Sequence, residues 1–320
     1  MIRSELDAAG VVEPRLRNAY RRCRELNAQH GRTFFLATRL LAPAQRPAVH
    51  ALYGFARLAD DILDDLDSAL DTTAKAERLQ RLSDHFFGDD GSDGDPVLAA
   101  VIHTARGYHI PLNLFGDFLT SMRMDLTVTD YPDRATLNRY MHGSAEVIGL
   151  QLLPVLGTVG PVEEAAPYAA ALGRAFQLTN FLRDVDEDLA RQRVYLPADE
   201  LAAFQVDRDL LMWCHVHRRT DARVRHALAA QHDITRDVYR FAGNGVQLLA
   251  PQSRPCVWTA LTLYSEILNR IEDSDFAVFS RRATVGTTRR LQVAGIGLLR
   301  AWRARKSAPP PRARPTMGAA

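Results

Sequence analysis

Two acidic stretches, far apart in the chain, have residue types and spacings that could hold a hard metal ion. In the first, the residues at i, i+4, i+7 and i+11 are Tyr53, Arg57, Asp60 and Asp64. In the second, the residues at i, i+3, i+7 and i+11 are Gln177, Asn180, Asp184 and Asp188. Both spacings place the side chains on one face of a helix. Each stretch therefore predicts a helix face that presents carboxylate or amide oxygens.

Carboxylates four residues apart on a helix repel one another by a few tenths of a kcal/mol, roughly, and burying them unpaired costs about several kcal/mol each. One such pair would usually be a solvated face with arginine partners, here Arg57 and Arg183. Two pairs in otherwise apolar helices favour a shared cation instead. Oxygen ligands without His or Cys select Mg²⁺, especially when phosphate completes the coordination. The expected substrate is a diphosphate, which Mg²⁺ makes a good leaving group.

Helical periodicity dominates the elements that must position these faces, and no run of alternating residues predicts a strand. The patterns predict helices over residues 14–29, 34–41, a segment carrying Tyr53 to Asp65, 72–87, 97–108, 112–127, 132–153, 168–190, 207–228, 232–250, 256–275 and 287–303. Pro154 is expected to stop or kink the seventh of these. We expect one all-α domain over residues 1–306 and a disordered Pro/Arg-rich tail over 307–320.

The charge is unevenly distributed, although the net charge is only +2. No acidic residue follows Asp275, whereas ten of the 40 basic residues do, which leaves 30 basic against all 38 acidic residues before that point. A basic end on an acidic body predicts an anionic partner, either phosphate or a membrane surface. Nucleic acid is disfavoured because Trp302 is the only aromatic residue among these charges.

The three cysteines, Cys23, Cys214 and Cys256, lack metal-binding or CxxC spacing and are typical of reduced thiols in a cytosolic protein. The N-terminus contains Glu5 and Asp7 and no apolar core of a signal peptide. The longest apolar stretch, residues 147–160, is too short and interrupted to span a bilayer. These features predict a cytoplasmic protein that contacts the inner face of the membrane peripherally.

Several motifs resemble signatures of the squalene/phytoene synthase family. They are Gly31-Arg-Thr-Phe-Phe35, Tyr53-Gly-Phe-Ala-Arg57-Leu-Ala-Asp60-Asp-Ile-Leu-Asp64-Asp65, Met122-Arg-Met-Asp-Leu126, Tyr140-Met-His-Gly-Ser-Ala-Glu-Val-Ile-Gly149, Gln177-Leu-Thr-Asn180-Phe-Leu-Arg183-Asp184-Val-Asp-Glu-Asp188, Arg193-Val-Tyr195-Leu-Pro197 and Tyr264-Ser-Glu-Ile-Leu268. The resemblance covers roughly residues 20–290 and is greatest to bacterial, phytoene-forming members. One departure is Gln192, where the family usually has glycine.

The resemblance implies an isoprenoid-synthase-type helical bundle around a central cavity. It implies a prenyl-transferring enzyme of the 15-cis-phytoene-forming type, which joins two geranylgeranyl diphosphates head to head (1-1′) through prephytoene diphosphate and releases diphosphate. The implied metal ligands, also catalytic, are Asp60, Asp64, Asn180, Asp184 and Asp188. Tyr140 is the further catalytic candidate, and the implied substrate-binding residues are Arg32, Thr33, Tyr53, Arg57, Gln177, Asn180, Arg183 and Tyr264. The metal is Mg²⁺, with Mn²⁺ as a substitute.

Alternatives remain open within and outside the family. Farnesyl diphosphate could be the substrate instead, giving presqualene diphosphate, squalene or dehydrosqualene. NADPH is not expected, since no GxGxxG unit is present. A non-catalytic helical scaffold would have lost metal-ligand positions, and none is missing. A basic membrane- or nucleic-acid-binding protein with incidental acidic helices is the third alternative.

Overall fold

The chain forms a helical bundle in the computed structural model, which describes residues 2–64, 71–88 and 95–307. Its α-helices are α1 (Ile2–Ala8), α2 (Pro14–His30), α3 (Arg32–Thr38), α4 (Arg46–Asp64), α5 (Thr72–Phe87), α6 (Pro96–Tyr108), α7 (Asn113–Met124), α8 (Arg134–Met141), α9 (Val147–Leu156), α10 (Val162–Arg183), α11 (Val185–Ala190), α12 (Ala198–Ala202), α13 (Arg208–His217), α14 (Ala222–Asn244), α15 (Arg254–Asp273) and α16 (Thr287–Ser307). A π-helical turn, His142–Glu146, joins α8 to α9, and a 3₁₀ turn, Gly245–Leu248, follows α14. Within the described residues the β-structure consists of two isolated bridges, Asp130 with Val194 and Thr158 with Leu249. The all-α prediction is confirmed.

Aspartate side chains begin many of these helices. Asp71, Asp133 and Asp207 each accept a hydrogen bond from the backbone N–H three residues ahead, at 2.7–2.8 Å. Asp95 accepts from Val97 N at 2.7 Å. Such caps satisfy N–H groups that have no partner within the helix. Local sequence therefore fixes where these helices start.

The long helix α10 lies at the centre of the bundle and packs against α9, α14 and α15. On one side, α2, α4, α6 and α7 enclose an apolar core that includes Phe55 and Phe115. On the other side, α11, α13, α14 and α15 enclose a second core around Leu228 and Leu268. Helix α10 thus separates the cores and faces the space left between them.

Three predicted boundaries are wrong. Pro154 does not stop its helix, because α9 continues to Leu156 and ends at Gly157, whose φ of +73° favours glycine. The helix predicted to start at 168 begins at Val162 and contains Pro167. The break predicted near residue 230 falls instead before Asp221, whose side chain caps α14.

The predicted tail lies outside the described residues except for Ser307, the last residue of α16. Among the described helices, none combines the length and the apolar character that crossing a bilayer requires.

Candidate active site

An apolar cavity of about 290 Å³ runs beside α10, between the two cores. Along α10 it is lined from Ala165 to Asn180, which lie fifteen positions and about 22 Å of helix apart. Opposite walls come from α3, α4, α9 and α15. Leucine, valine, alanine and phenylalanine side chains form most of this surface, so the cavity suits a long hydrocarbon.

Two glycines let the wall helices approach closely. A Cβ on Gly149 would lie 2.2 Å from the carbonyl oxygen of Ala169, and one on Gly173 would lie 2.2 Å from that of Ala145. The order of these two contacts shows that α9 and the π-helical turn run antiparallel to α10, against which they pack closely. The turn directs Ser144 and Ala145 toward the cavity, and π-helical turns of this kind are frequent at functional sites.

The two acidic motifs lie at the same end of the cavity. Gln45, directly before α4, donates from Nε2 to Val155 O at 2.8 Å, which joins the start of α4 to the end of α9. Tyr53 of the first motif lines the cavity and lies near enough to Tyr264 for the two groups to interact electrostatically. Tyr264 in turn lies near Arg183 and Asp184 of the second motif, where α10 ends.

Unpartnered polar atoms concentrate at this cavity. Seven buried side-chain atoms lack a hydrogen-bond partner among the described residues, and three of them, Asn27 Oδ1, Ser144 Oγ and Asn180 Oδ1, belong to cavity-lining residues. A fourth, Arg57 Nε, lies one turn beyond the cavity-lining Tyr53. Buried polar atoms usually find partners, so these four point to a ligand with a polar part in this cavity.

The first acidic motif surrounds Tyr53. Arg57, Asp60 and Tyr264 lie near enough to influence its pKa, which burial raises to about 12. Arg57 bonds through Nη2 to Asp61, a residue not predicted for the site. Asp60 is partly buried, whereas the side chain of Asp64 lies outside the described part of the chain.

The second motif is kinked and held by two arginines. Helix α10 ends at Arg183, and Asp184 has a non-helical φ of −104°, yet Asp188 N still donates to Asp184 O at 2.8 Å. Arg183 pairs with both oxygens of Asp184, at 2.7 and 2.5 Å, and Arg282 reaches the same carboxylate at 2.8 Å. Burial opposes ionisation, but these bonds hold the pKa of Asp184 below its usual range.

The pKa of Asp188 is shifted in the opposite direction to that of Asp184. Burial, followed by the charge of Asp184, raises the pKa of Asp188 to about 7. The charges of Arg191 and Arg193 lower this pKa, but by less than burial and Asp184 raise it. A bound cation would favour the ionised carboxylate further.

Aromatic rings connect α3, α10 and α15 beside the second motif. Tyr264 lies 4.4 Å from Phe176 and 5.1 Å from Phe34, measured between ring centroids. Burial raises the pKa of the Tyr264 hydroxyl, and the charge of the nearby Arg183 partly offsets this. Gln177 and Asn180 line the cavity next to this group, and Asn180 Nδ2 donates to Gln177 Oε1 at 3.3 Å.

Tyr140 occupies a separate buried cluster and is not among the residues that line the cavity. Its hydroxyl donates to Asp125 Oδ2 at 2.7 Å, and the Tyr195 hydroxyl donates to Asp125 Oδ1 at 3.1 Å. Burial, followed by the charge of Asp125, raises the pKa of Tyr140 well above its usual range. Arg193 ties the cluster to the second motif, because its Nη2 donates to Asp125 O and its backbone N to Asp188 O.

Arg32 and Thr33 open α3, with Arg32 exposed and Thr33 half-buried. Neither lines the cavity, although Phe34 beside them does. Gln192 has a φ of +60°, the left-handed region that glycine tolerates best. This conformation gives the physical reason why glycine is usual at that position.

The oxygen donors fit a hard divalent cation. Asp60, Asn180, Asp184 and Asp188 offer carboxylate or amide oxygens, and Asn180 Oδ1 is buried without a partner. Among described side chains, no three His, Cys, Asp or Glu residues converge on one point. The arginines that hold Asp184 account for part of this, since they occupy the oxygens that a metal would bind.

The sequence did not predict a role for three residues of this site. Arg282 reaches Asp184 from 98 positions away, and only its place in the acid-free end hinted at an anionic partner. Asp125 lies inside a quoted motif, but nothing local shows that it pairs with Tyr140. Asn27 gives no sequence signal at all.

A long apolar cavity with acids, amides and arginines at one end is the kind of site that binds a prenyl diphosphate. The squalene/phytoene synthase family model matches residues 27–289. The chain is 34% identical to the phytoene synthase of Arthrospira platensis over 297 residues, 89% of this chain and 94% of that protein. It is 34% identical to the 15-cis-phytoene synthase of Synechococcus elongatus, with the same coverage. It is 36% identical to the chloroplastic phytoene synthase of Daucus carota, over 90% and 72% of the two chains.

Solved structures have the same fold. A dehydrosqualene synthase in complex with a ligand superposes with a TM-score of 0.79 at 24% identity, over 92% of this chain and 98% of that one. The squalene synthase HpnC from Alicyclobacillus acidocaldarius gives 0.74 at 24% identity, over 84% and 98%. The chain belongs to the squalene/phytoene synthase family, whose members are divalent-metal-dependent prenyltransferases.

Proposed function

We propose that this protein condenses two molecules of geranylgeranyl diphosphate head to head (1-1′), through prephytoene diphosphate, to phytoene and diphosphate. The activity is that of its phytoene synthase relatives. The observation that carries the proposal is the concentration of unpartnered buried polar atoms in and beside an apolar cavity about 22 Å long. A diphosphate head and a long prenyl chain match these two parts of the site.

Asp60, Asp64, Asn180, Asp184 and Asp188 are the residues proposed to hold Mg²⁺, with Mn²⁺ as a substitute. When bound, the metal neutralises the charge of the departing diphosphate. Three observations support this: the donor chemistry, the unpartnered Asn180 Oδ1, and Tyr264, which lies near both Tyr53 of the first motif and Arg183 of the second.

The arginines around the motifs are suited to hold the diphosphates. Arg57 and Arg183 each pair with a carboxylate through a planar guanidinium that can bind phosphate equally well. Arg282 is added to them because it already lies against Asp184. Arg32 and Thr33, at the N-terminus of the short helix α3, are proposed to extend this anion-binding region.

The cavity wall positions the prenyl chains and excludes water. Tyr53, Gln177 and Tyr264 are proposed to orient the reacting ends, since all three lie where the apolar wall meets the polar end. Tyr140 is proposed to relay a proton through its hydroxyl, with Asp125 accepting it. A water-excluding wall protects carbocations from being quenched.

The length of the cavity favours a C20 chain over a C15 chain. Sixteen main-chain carbons advance about 19 Å and twelve advance about 14 Å, at roughly 1.3 Å per bond. The lined part of α10 corresponds to about 22 Å. Farnesyl diphosphate remains the second candidate substrate, because the shorter chain also fits.

The decisive experiment incubates the purified protein with Mg²⁺ and either geranylgeranyl or farnesyl diphosphate, with and without NADPH, and identifies the products. We expect phytoene from the C20 substrate and no dependence on NADPH. Asp60→Ala and Asp184→Ala should abolish product while the helical circular dichroism signal is retained. Normal turnover by either variant would show that the metal assignment is wrong, and NADPH-dependent squalene would favour the alternative.

We further propose that the protein works in the cytoplasm, in peripheral contact with the inner face of the membrane. The charge distribution supports this, since all ten charged residues after Asp275 are basic.

A further inference from the structure

Helix α16 uses one face to attach to the body of the protein. Val293, Ala294, Gly297 and Ala301 are buried, and a Cβ on Gly297 would lie 2.6 Å from Thr259 Oγ1. Arg305 Nη2 donates to Leu40 O and Leu41 O at 2.6 and 2.8 Å, at the end of α3. Helix α16 therefore lies firmly against α3 and α15, which form the cavity wall.

The outward face of the same helix is apolar. Leu291, Leu298 and Trp302 fall at i, i+7 and i+11, and Leu299 lies beside them; their exposed fractions are 63%, 54%, 56% and 61%. We call these four residues the α16 stripe. It extends about 16 Å along the helix, from Leu291 to Trp302. No other described helix has four large apolar residues exposed at such levels.

Positive charge accompanies the stripe. The helix has six basic residues and no acidic one, namely Arg289, Arg290, Arg300, Arg303, Arg305 and Lys306. The ammonium group of Lys306 lies 3.9 Å from the ring centre of Trp302. An exposed apolar face bordered by Lys and Arg is typical of helices that lie in the interface of an anionic bilayer.

We propose that the α16 stripe is the surface through which this protein docks on an anionic phospholipid membrane, with Trp302 and the leucines entering the interface. This deepens the membrane contact suggested under the proposed function by naming its surface. It also places the membrane against the outside of the wall that α3 and α15 make. A lipid-soluble substrate and product would then be exchanged beside the cavity.

A second copy of the chain fits this surface less well. Pairing two α16 stripes would bring the exposed Arg300 and Lys306 of one helix near those of the other, with no acidic residue on either helix to compensate. Anionic lipid headgroups supply the opposite charge instead.

The test is co-sedimentation of the full-length protein, without substrate, with phosphatidylcholine vesicles that contain or lack phosphatidylglycerol. Leu291→Gln/Leu298→Gln/Trp302→Gln should lower the partition coefficient by at least about tenfold. The matched control Val12→Gln/Leu112→Gln/Val216→Gln changes residues that are equally exposed elsewhere and should stay within about twofold of the wild type. Circular dichroism and thermal melting verify that both variants are folded.

A second pair of variants tests whether anionic lipid headgroups, and not nonspecific adhesion, account for the binding. Arg300→Gln/Lys306→Gln should weaken binding about tenfold or more on phosphatidylglycerol vesicles only, whereas Arg15→Gln/Arg219→Gln should not. Equal binding by wild type and stripe variant would overturn the proposal, as would absence of binding to anionic vesicles. A wild-type dimer that the stripe variant converts to monomer without vesicles would assign the face to self-association instead. Turnover of detergent-dispersed substrate is measured separately, so a failure of the proposed activity cannot be confused with these results.

Discussion

Substituting Ala169 by phenylalanine should shorten the cavity and change which prenyl chain is accepted. Ala169 lines the cavity eleven residues before Asn180, about 16 Å from the polar end. A ring at this level leaves room for a C15 chain of about 14 Å but not for a C20 chain of about 19 Å. We therefore expect Ala169→Phe to prefer farnesyl diphosphate.

The size of the change follows from the part of the chain that is excluded. The last isoprene unit has five carbons, and burial contributes about 0.8 kcal/mol per carbon, or about 4 kcal/mol in all. Full loss would change the ratio of kcat/KM values by about three powers of ten. Because the chain can bend and the wall can relax, at least about a hundredfold change is the expected result.

The assay measures kcat/KM for both diphosphates by product analysis. Ala170→Phe is the matched control, since Ala170 does not line the cavity, and Ala165→Phe tests the far end, about 22 Å from Asn180. The Ala165→Phe variant should still turn over the C20 substrate, whereas the Ala169→Phe variant should not. An unchanged substrate ratio in a folded Ala169→Phe variant would refute the assignment of this cavity to the prenyl chain.

Three further predictions concern individual residues. Gln192→Gly should stabilise the protein by about 1 kcal/mol because it removes a side chain from a left-handed φ, and should raise Tm by about 2–4 °C; an equal gain in Gln192→Ala would contradict this reason. Asn180→Leu should lower Mg²⁺-dependent turnover by at least about tenfold while Tm stays equal or rises, since a buried unpartnered oxygen is removed; a folded variant with wild-type turnover would exclude Asn180 from the metal site. Burial, followed by Arg24 and Arg46, lowers the pKa of His50 to about 3, so between pH 3 and about 6.5 the unfolded chain binds a proton that the folded chain does not. Stability should therefore fall as pH decreases through that window, and His50→Phe should reduce this slope in urea titrations at several pH values; identical slopes would be the contrary result.

The pattern of the sequence sufficed for the helices and for the two acidic faces. Periodicity and capping depend on neighbours within a few residues, so α5 is predicted at its observed bounds, residues 72–87. Two predicted helix boundaries beside prolines were misplaced. Pro154 and Pro167 both lie within helices, since tertiary packing of α9 and α10 outweighs the lost hydrogen bonds.

The motifs also determined the family, because their residue types and spacings are specific enough to be matched along the chain. The sequence predicted the contacts of individual site residues less well. Asp184 was expected to face a metal, and in the structure Arg183 and Arg282 hold it. Tyr140 was a catalytic candidate, and its hydroxyl bonds to Asp125 outside the cavity lining.

The sequence by itself determined that the chain is helical, that it carries two oxygen-rich helix faces, and that its last charged residues are all basic. Only the tertiary structure decided that Tyr53 of the first motif lines the same cavity as Gln177 and Asn180 of the second, how deep that cavity is, and which face of α16 remains exposed. The physical reason is that a helix face is fixed by the rotation of the backbone between near neighbours. The position of one face relative to another is fixed by contacts such as Gly149 against Ala169 and Gln45 against Val155, which join residues that no local pattern connects.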